Sequence, residues 1–197
     1  MFMENKIEDN IPHLDMEIFI SSKTGTDITV TIDNPFGGII ASETFALGGS
    51  NVAKRTISKD IRMVENSVGY SAVRIRANGD MIIYALNRNT FSSDGFAVFN
   101  NNQIGSDYYA AAYSPETLNT EVGIIATESG LTTIRIRVPH GNDNAIIWDG
   151  NTYNQGSDFT ITLAQYQTAQ VQTRSGDITG KYFLGLSMLT CCGEVVV

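Results

Sequence analysis

Short runs of β-branched and aromatic residues recur along the whole chain, separated by Gly, Asn, Asp, Ser and Pro. In Ile28–Ile32 the apolar residues alternate with threonine, which is the period-2 pattern of a strand buried on one face. Val73 and Ile75 alternate with arginines in the same way. No stretch combines sustained helical spacing with good helix formers. The pattern therefore predicts an all-β protein.

The same sequence pattern predicts where strands and turns lie. Asn78-Gly79 predicts the type I′ turn of a β-hairpin, because both positions accept positive φ. The continuous apolar run Met81–Leu86 is typical of a strand covered on both faces. Further strands are predicted at Met16–Ile20, Phe96–Phe99, Tyr108–Tyr113, Val122–Thr127, Thr133–Val138, Ala145–Trp148, Asp158–Ala164 and Tyr182–Leu189.

One part of the chain resembles another part 105 residues later. Phe19–Gly25 lines up with Ile124–Gly130, and Thr29–Ile32 lines up with Thr133–Ile136 after one skipped residue. Each segment is interpreted as a hairpin closed by a proline. This internal repeat predicts two homologous β units of about 100 residues, a length that suits a sandwich.

The repeat and the strand pattern together predict the architecture. We expect two tandem, related β-sandwich-like units with antiparallel hairpins. The first unit spans residues 1–105, and the second spans residues 106–197 and is incomplete at its C-terminus. A propeller-like arrangement of β-repeats is the alternative.

The composition argues against several classes of function. Acidic residues outnumber basic ones by 21 to 13, the net charge is −8, and no basic cluster is longer than Lys54-Arg55. Binding to a nucleic-acid backbone is therefore not expected. No run of 18 apolar residues is present, so membrane insertion is not expected either. Hydrophobic residues make up 42% of the chain, which is enough for a core.

Residues suited to catalysis or metal binding are sparse. His13 and His140 each lie next to a proline in a predicted loop, where a solvated side chain is more common than a general base. The chain lacks the closely spaced His, Cys and carboxylate ligands of a zinc site. We predict no enzyme, no metal and no cofactor. An enzyme whose carboxylates, such as Asp94 and Asp107, meet only after folding remains the alternative.

The cysteines and the N-terminus bear on the compartment. Cys191 and Cys192 are adjacent, and a disulfide between neighbours closes a strained ring. They are expected to pair with cysteines outside this sequence. The polar N-terminus lacks the apolar region of a signal peptide. We interpret the chain as a fragment of a longer protein.

Aromatic residues and acidic loops supply the binding candidates. Tyr108, Tyr109 and Tyr113 lie in an aromatic-rich stretch, and tyrosine is enriched at protein interfaces. Core packing is the alternative for each of them. Trp148 lies within Asn142–Asn151, whose oxygen-rich loops suit either calcium or β-turns. The predicted ligand-binding residues are Tyr108, Tyr109, Tyr113 and Trp148.

Several motifs resemble the N-terminal domain of the IgGFc-binding protein family. Tyr84–Phe96 and then Ile104–Tyr109 resemble its V-Y-A-x-N-K…S-S-D strand and its L-G-x-E-Y-Y motif. Ile124–Thr127 with Thr132–Ile134 resembles its I-V-A-T…T-T-V-T-I hairpin, and Asp177–Gly180 resembles its D-L-T-G-T motif. The similarity keeps the family's order along most of the chain.

The resemblance implies a function as well as a family. The chain departs from the family pattern at Phe99-Asn100, where the family usually has a proline, and again after Gly180. None of the shared motifs is catalytic. The resemblance implies a secreted, extracellular, mucus- or matrix-associated protein in which this region is a non-catalytic interaction or adhesion module. Its implied partners are extracellular proteins or glycoproteins, mucin-like or immunoglobulin-like. A carbohydrate- or calcium-dependent binding module is the alternative.

Overall fold

The computed structural model describes residues 16–22, 27–45, 52–64, 66–88, 93–112, 120–138, 140, 145–174 and 176–192. These residues contain strands and two three-residue 3₁₀ helices but no α-helix, so the all-β fold class is confirmed. None of the helices in this part of the chain has the length and apolar character needed to cross a bilayer. The strands are β1 (Met16–Ser22), β2 (Ile28–Asn34), β3 (Gly38–Phe45), β4 (Ala53–Ile57), β5 (Ser67–Gly69), β6 (Arg74–Ala77), β7 (Met81–Arg88), β8 (Ser93–Ala97), β9 (Gly105–Tyr109), β10 (Glu121–Ala126), β11 (Leu131–Arg137), β12 (Ile146–Trp148), β13 (Asn151–Tyr153), β14 (Asp158–Ala164), β15 (Thr168–Thr173) and β16 (Tyr182–Cys192).

The first half of the molecule contains two antiparallel sheets. Their strand orders are β4-β1-β7-β8 and β3-β2-β6. Alternate residues of β1 and β2 are at most 2% exposed and share one core cluster, as expected for two packed layers. These residues are Met16, Ile18, Ile20, Ile28, Val30 and Ile32.

The second half contains one eight-stranded sheet that folds over on itself. Its strand order is β13-β12-β15-β10-β16-β11-β14, and β9 also pairs with β16. Residues 182–184 of β16 pair with β11 and β9, whereas residues 188–192 pair with β10. Tyr153 of β13 stacks on Phe159 of β14 with ring centroids 4.1 Å apart, although these strands lie at opposite ends of the order. The two ends of the sheet therefore face each other across one core.

The two repeated segments have the same pairing pattern. β1 pairs with β7 and β2 with β6, and in the second half β10 pairs with β15 and β11 with β14. In each half, the two partners are consecutive strands. This correspondence is compatible with two tandem related units, which stay a prediction, as does the boundary between residues 105 and 106.

The predicted hairpins at the repeats are wrong. β1 and β2 lie in different sheets, and β10 and β11 are separated by β16. β6 and β7 also lie in different sheets, and neither Asn78 nor Gly79 has positive φ. Instead, Asn78 Oδ1 accepts a hydrogen bond from Thr29 N at 2.9 Å, which ties this connection to β2. A turn dipeptide marks a change of direction, but the apolar faces decide which sheet each strand joins.

A two-residue hairpin turn with positive φ at both positions does occur, at Asp149-Gly150. Their φ angles are 48° and 71°, and Trp148 pairs with Asn151 across the turn. This is the geometry of a type I′ turn, so the Asp-Gly sequence serves hairpin formation here.

β7 is buried on one face rather than two. Ile83 and Ala85 are buried, but Ile82 is 46% exposed and Tyr84 is 56% exposed. The prediction that both faces are covered is therefore wrong. The run of apolar residues did not distinguish a central strand from one whose outer face carries exposed apolar side chains.

The two halves contact each other along β15. Asn66 N donates to Gln170 O at 2.8 Å, and Asn66 Oδ1 accepts from Gln172 N at 3.3 Å. The guanidinium of Arg74 lies 5.2 Å from the centroid of the Tyr166 ring. All six residues of β15 are buried, as expected for a strand that packs against its own core and against the other half.

Candidate binding face

β11 and β14 each have an apolar and a polar side. In β14, Phe159, Ile161 and Leu163 are buried in the core cluster, while the residues between them are exposed. β11 alternates in the same way, with Arg135 and Arg137 on its exposed side. The period of two thus directs charged residues of both strands to one outer face.

Four adjacent strands align their outward residues on this face. The first cross-strand row is Asp158, Arg137, Tyr182 and Tyr109, and the second is Thr160, Arg135, Leu184 and Asp107. We call these eight residues the tyrosine–arginine face.

The β14 end of the face carries a charged triad. The Asp158 carboxylate accepts hydrogen bonds from Arg135 and from Arg137, whose Nε lies 2.9 Å from Asp158 Oδ1. The bonds from Arg137 and Arg135 lower the pKa of Asp158 to about 2, and the bond to Asp158 raises the pKa of Arg137. Two guanidinium groups share one carboxylate, so this end of the face is locally positive.

The β9 end of the face carries two tyrosines. The Tyr182 hydroxyl donates to Asp107, which also accepts a hydrogen bond from Ser106 Oγ at 2.5 Å. Bonding from Ser106 and then from Tyr182 lowers the pKa of Asp107, and the bond to Asp107 raises the pKa of Tyr182. The Tyr109 and Tyr182 ring centroids are 4.8 Å apart. Tyr109, which is 75% exposed, therefore rests on a ring that is itself hydrogen-bonded.

The predicted ligand-binding residues occupy different environments. Tyr109 lies on the tyrosine–arginine face, whereas Tyr108 packs against the core and its hydroxyl accepts a hydrogen bond from Gly105 N at 2.6 Å. Trp148 is only 8% exposed within the core cluster, which leaves little of its ring for a ligand. Tyr113 lies outside the described residues. Binding roles for these four residues stay predictions.

The proposed calcium loops are partly described. Asp149 and Gly150 form the hairpin turn, and Asn151 Nδ2 donates to Asp149 O at 3.0 Å. Residues 142–144 lie outside the described residues. Within the ranges that the structure describes, no group of three or more His, Cys, Asp or Glu residues is placed to bind a metal ion.

Of the two carboxylates considered for an enzyme, only Asp107 has a described side chain. The Asp94 side chain lies outside the description, and Asp107 is hydrogen-bonded on the tyrosine–arginine face. The pKa of Asp107 is lowered by its donors, whereas a general acid needs a raised one.

The Asp177–Gly180 motif has a structural role beside the face. Asp177 Oδ1 accepts from Thr179 N at 2.8 Å, and Gly180 has a φ of +83° that suits glycine. Thr179 Oγ1 lies 2.9 Å from both N and O of Ala112. The motif thereby fixes the chain that follows β9, and with it the position of Tyr109 beside Tyr182.

Sequence reasoning missed six residues of the face: Arg135, Arg137, Asp158, Thr160, Tyr182 and Leu184. The alternation of the Thr133–Val138 strand already placed the two arginines on one side. What the sequence did not supply is the register that puts Tyr182 opposite both Arg137 and Tyr109.

A family model described as IgGFc binding protein matches residues 94–182. The match confirms the resemblance over this range, which corresponds to part of a domain. It includes every residue of the tyrosine–arginine face except Leu184. No curated protein and no solved structure matches the chain.

Proposed function

Because residues 94–182 match the IgGFc binding protein family, we propose that this chain is a non-catalytic, extracellular protein-interaction or adhesion module. Its proposed setting is a secreted, mucus- or matrix-associated protein. The proposed partners are extracellular proteins or glycoproteins, mucin-like or immunoglobulin-like.

The observation that carries this proposal is the exposed Tyr109 ring, packed on the hydrogen-bonded Tyr182 ring. An ordered aromatic side chain loses less conformational entropy when a partner binds. Tyr109 therefore has the exposure and the preorganisation of an interface anchor.

The chemistry around Tyr109 also favours a protein partner. Tyrosine and arginine are enriched among the residues that dominate protein–protein binding energies. Here Arg135 and Arg137 are about half exposed while they pair with Asp158. The face thus combines an apolar ring with charged groups that are ordered before binding.

Binding of the full chain to immobilised immunoglobulin Fc and to immobilised mucin tests the proposal. We expect at least one of these probes to bind, and we expect Tyr109→Ser to weaken that binding about tenfold, a typical effect of removing an interface anchor. Tyr84→Ser is the matched control, because Tyr84 is also exposed but lies on β7 in the other half. Thermal unfolding of both variants checks that the fold is kept.

Two results would contradict the proposal. One is that the unaltered chain binds neither immunoglobulin Fc nor mucin. The other is equal binding by the Tyr109→Ser and Tyr84→Ser variants, which would remove the tyrosine–arginine face from the interaction.

A further inference from the structure

β14 forms a regular edge of its sheet. It pairs with β11 over seven consecutive residue pairs, from Leu131–Ala164 to Arg137–Asp158, without a register shift. Among the described residues, no strand pairs with its other side. This edge is therefore a long, uninterrupted template for an added strand.

The main-chain groups that point outward from β14 follow from its hydrogen bonds. Val138 N donates to Ser157 O at 3.0 Å, so Ser157 and every second residue after it face β11. The N–H and C=O groups of Asp158, Thr160 and Thr162 consequently point away from β11. Beyond them, Ala164 N donates to Gln167 Oε1 at 2.7 Å, which closes the end of the edge.

The common protections of an edge strand are missing from β14. Natural edges are usually blocked by proline, lysine or a bulge. β14 contains none of these, and its exposed side carries Thr160 and Thr162, which favour strand pairing. Its one charged residue, Asp158, is neutralised by two arginines.

The charge beside this edge selects the partner. Arg135 stands opposite Thr160 in the register, and its guanidinium bonds the Asp158 carboxylate, so the guanidinium lies over β14. An added strand would lie about 4.8 Å farther out. With two guanidiniums and one carboxylate, the edge is positive in a chain whose net charge is −8.

We propose that the β14 edge binds an extended segment of a partner protein as an added strand, and that this segment carries a carboxylate opposite Thr160. Main-chain hydrogen bonds to Asp158, Thr160 and Thr162 supply the pairing, and Arg135 supplies the preference for acid. The inference rests on the proposed protein-binding function and specifies its mode. A second copy joined β14 to β14 is the disfavoured occupant, because it would bring two positive, arginine-bearing edges together.

The first test uses a capped seven-residue peptide of alternating threonine and valine with a central glutamate. A counterpart with a central lysine is the matched probe. We expect the glutamate peptide to bind the full chain at least tenfold more tightly at low ionic strength and to shift the backbone amide signals of Thr160 and Thr162. Equal affinity for the two peptides would overturn the acidic preference.

The second test removes one outward N–H group. Thr160→Pro deletes a donor that β11 does not use, and we expect at least a tenfold loss of peptide affinity. Thr160→Ala keeps the donor and is expected to bind as the unaltered chain does. Equal binding by the two variants would overturn the proposed edge.

The third test keeps the protein unchanged, in case Thr160→Pro disturbs the fold. N-methylation of alternate peptide residues blocks one side of the peptide backbone. We expect one set of methylated positions to abolish binding and the other set to preserve it, whereas an equal effect of both sets would contradict strand addition.

Two further outcomes are informative. Self-association of the chain that Thr160→Pro abolishes and Thr160→Ala preserves would assign the edge to a second copy and overturn our choice of occupant. Loss of Fc or mucin binding in Tyr109→Ser with no peptide binding at β14 would keep the proposed function and reject this mode.

Discussion

The two halves of the molecule place their first two strands alike but complete them differently. In the first half β3 pairs with β2 and β4 pairs with β1, each in its own sheet. In the second half β16 alone pairs with both β11 and β10. One 11-residue strand thus takes the places of two shorter strands. The first half therefore has two separate sheets, whereas in the second half β16 joins the corresponding strands into one sheet.

The outer faces of the halves differ as well. β7 exposes Ile82 and Tyr84, whereas β11 and β14 expose arginines, threonines and an aspartate. The same alternation of strand residues builds an apolar surface in one half and a charged, aromatic surface in the other. For this reason we place the proposed binding site in the second half.

The largest expected effect is a loss of stability when a buried ring is removed from the second core. Phe183→Ala removes a ring that is 1% exposed in the second core and should cost about 3–5 kcal/mol. Trp148, the single tryptophan, lies in the same core, so its fluorescence reports unfolding of this half. We expect the denaturation midpoint followed by this fluorescence to fall sharply.

Ile20→Ala is the matched variant in the first core, where Ile20 is 0% exposed, and it should cost about 2–5 kcal/mol. Circular dichroism reports both halves, whereas tryptophan fluorescence reports the second half alone. Identical shifts of both signals in both variants would contradict separate cores and indicate one cooperative unit.

A smaller effect is expected at the contact between the halves. Arg74 bonds Asp33 through two hydrogen bonds and also lies against Tyr166. The Asp33 side chain is 8% exposed, so Arg74→Ala leaves a carboxylate poorly solvated and should cost about 1–3 kcal/mol at neutral pH. Chemical denaturation measures this difference.

The loss of stability caused by Arg74→Ala should become smaller as the pH falls. The hydrogen bond from Arg74 lowers the pKa of Asp33 below 3.8, so the unfolded chain binds the proton more readily. The stabilisation is therefore present above about pH 4 and is lost as the pH falls through the lower pKa of the folded state. A difference between the unaltered chain and Arg74→Ala that is constant from neutral pH down to strong acid would contradict this account.

The smallest expected effect concerns a lysine buried in the second half. Lys181 is 0% exposed, and desolvation lowers its pKa from 10.5 to about 8. Lys181→Met removes the cost of burying the charge and should stabilise the protein by about 1–2 kcal/mol at neutral pH.

The stability difference between Lys181→Met and the unaltered chain should change at alkaline pH. Between pH 8 and 10.5 the unfolded state binds more protons than the folded state, so the stability of the unaltered chain rises with pH relative to Lys181→Met. Denaturation of both proteins across this range measures the change. A gap between them that stays constant would show that the Lys181 ammonium is well solvated in the fold.

The positions of the strands were predictable because alternation is local. Ile28–Ile32 and Thr133–Val138 correspond to β2 and β11. Pairing was not predictable in this way, because Asn78-Gly79 has the composition of a hairpin turn but carries the chain between two sheets. Local composition does not encode which sheet buries the next apolar face.

The candidate site was predictable only in part, for a related reason. Tyr109 was identified from its aromatic neighbourhood, but its ring partner Tyr182 comes from a distant strand. Tyr108, its neighbour in sequence, points to the core instead. Aromatic composition marks a region, and only the cross-strand register separates the side chains of an interface from those of the interior.

The layer-crossing strand β16 also has a mechanical consequence. A force pulling along β16 would load its hydrogen bonds with β9, β10 and β11 together, and bonds loaded in parallel share the tension. Among the described strands β8 pairs with β7 alone, so β8 would carry such a load on one ladder. We therefore expect β16 to resist shear along its own axis better than β8 does.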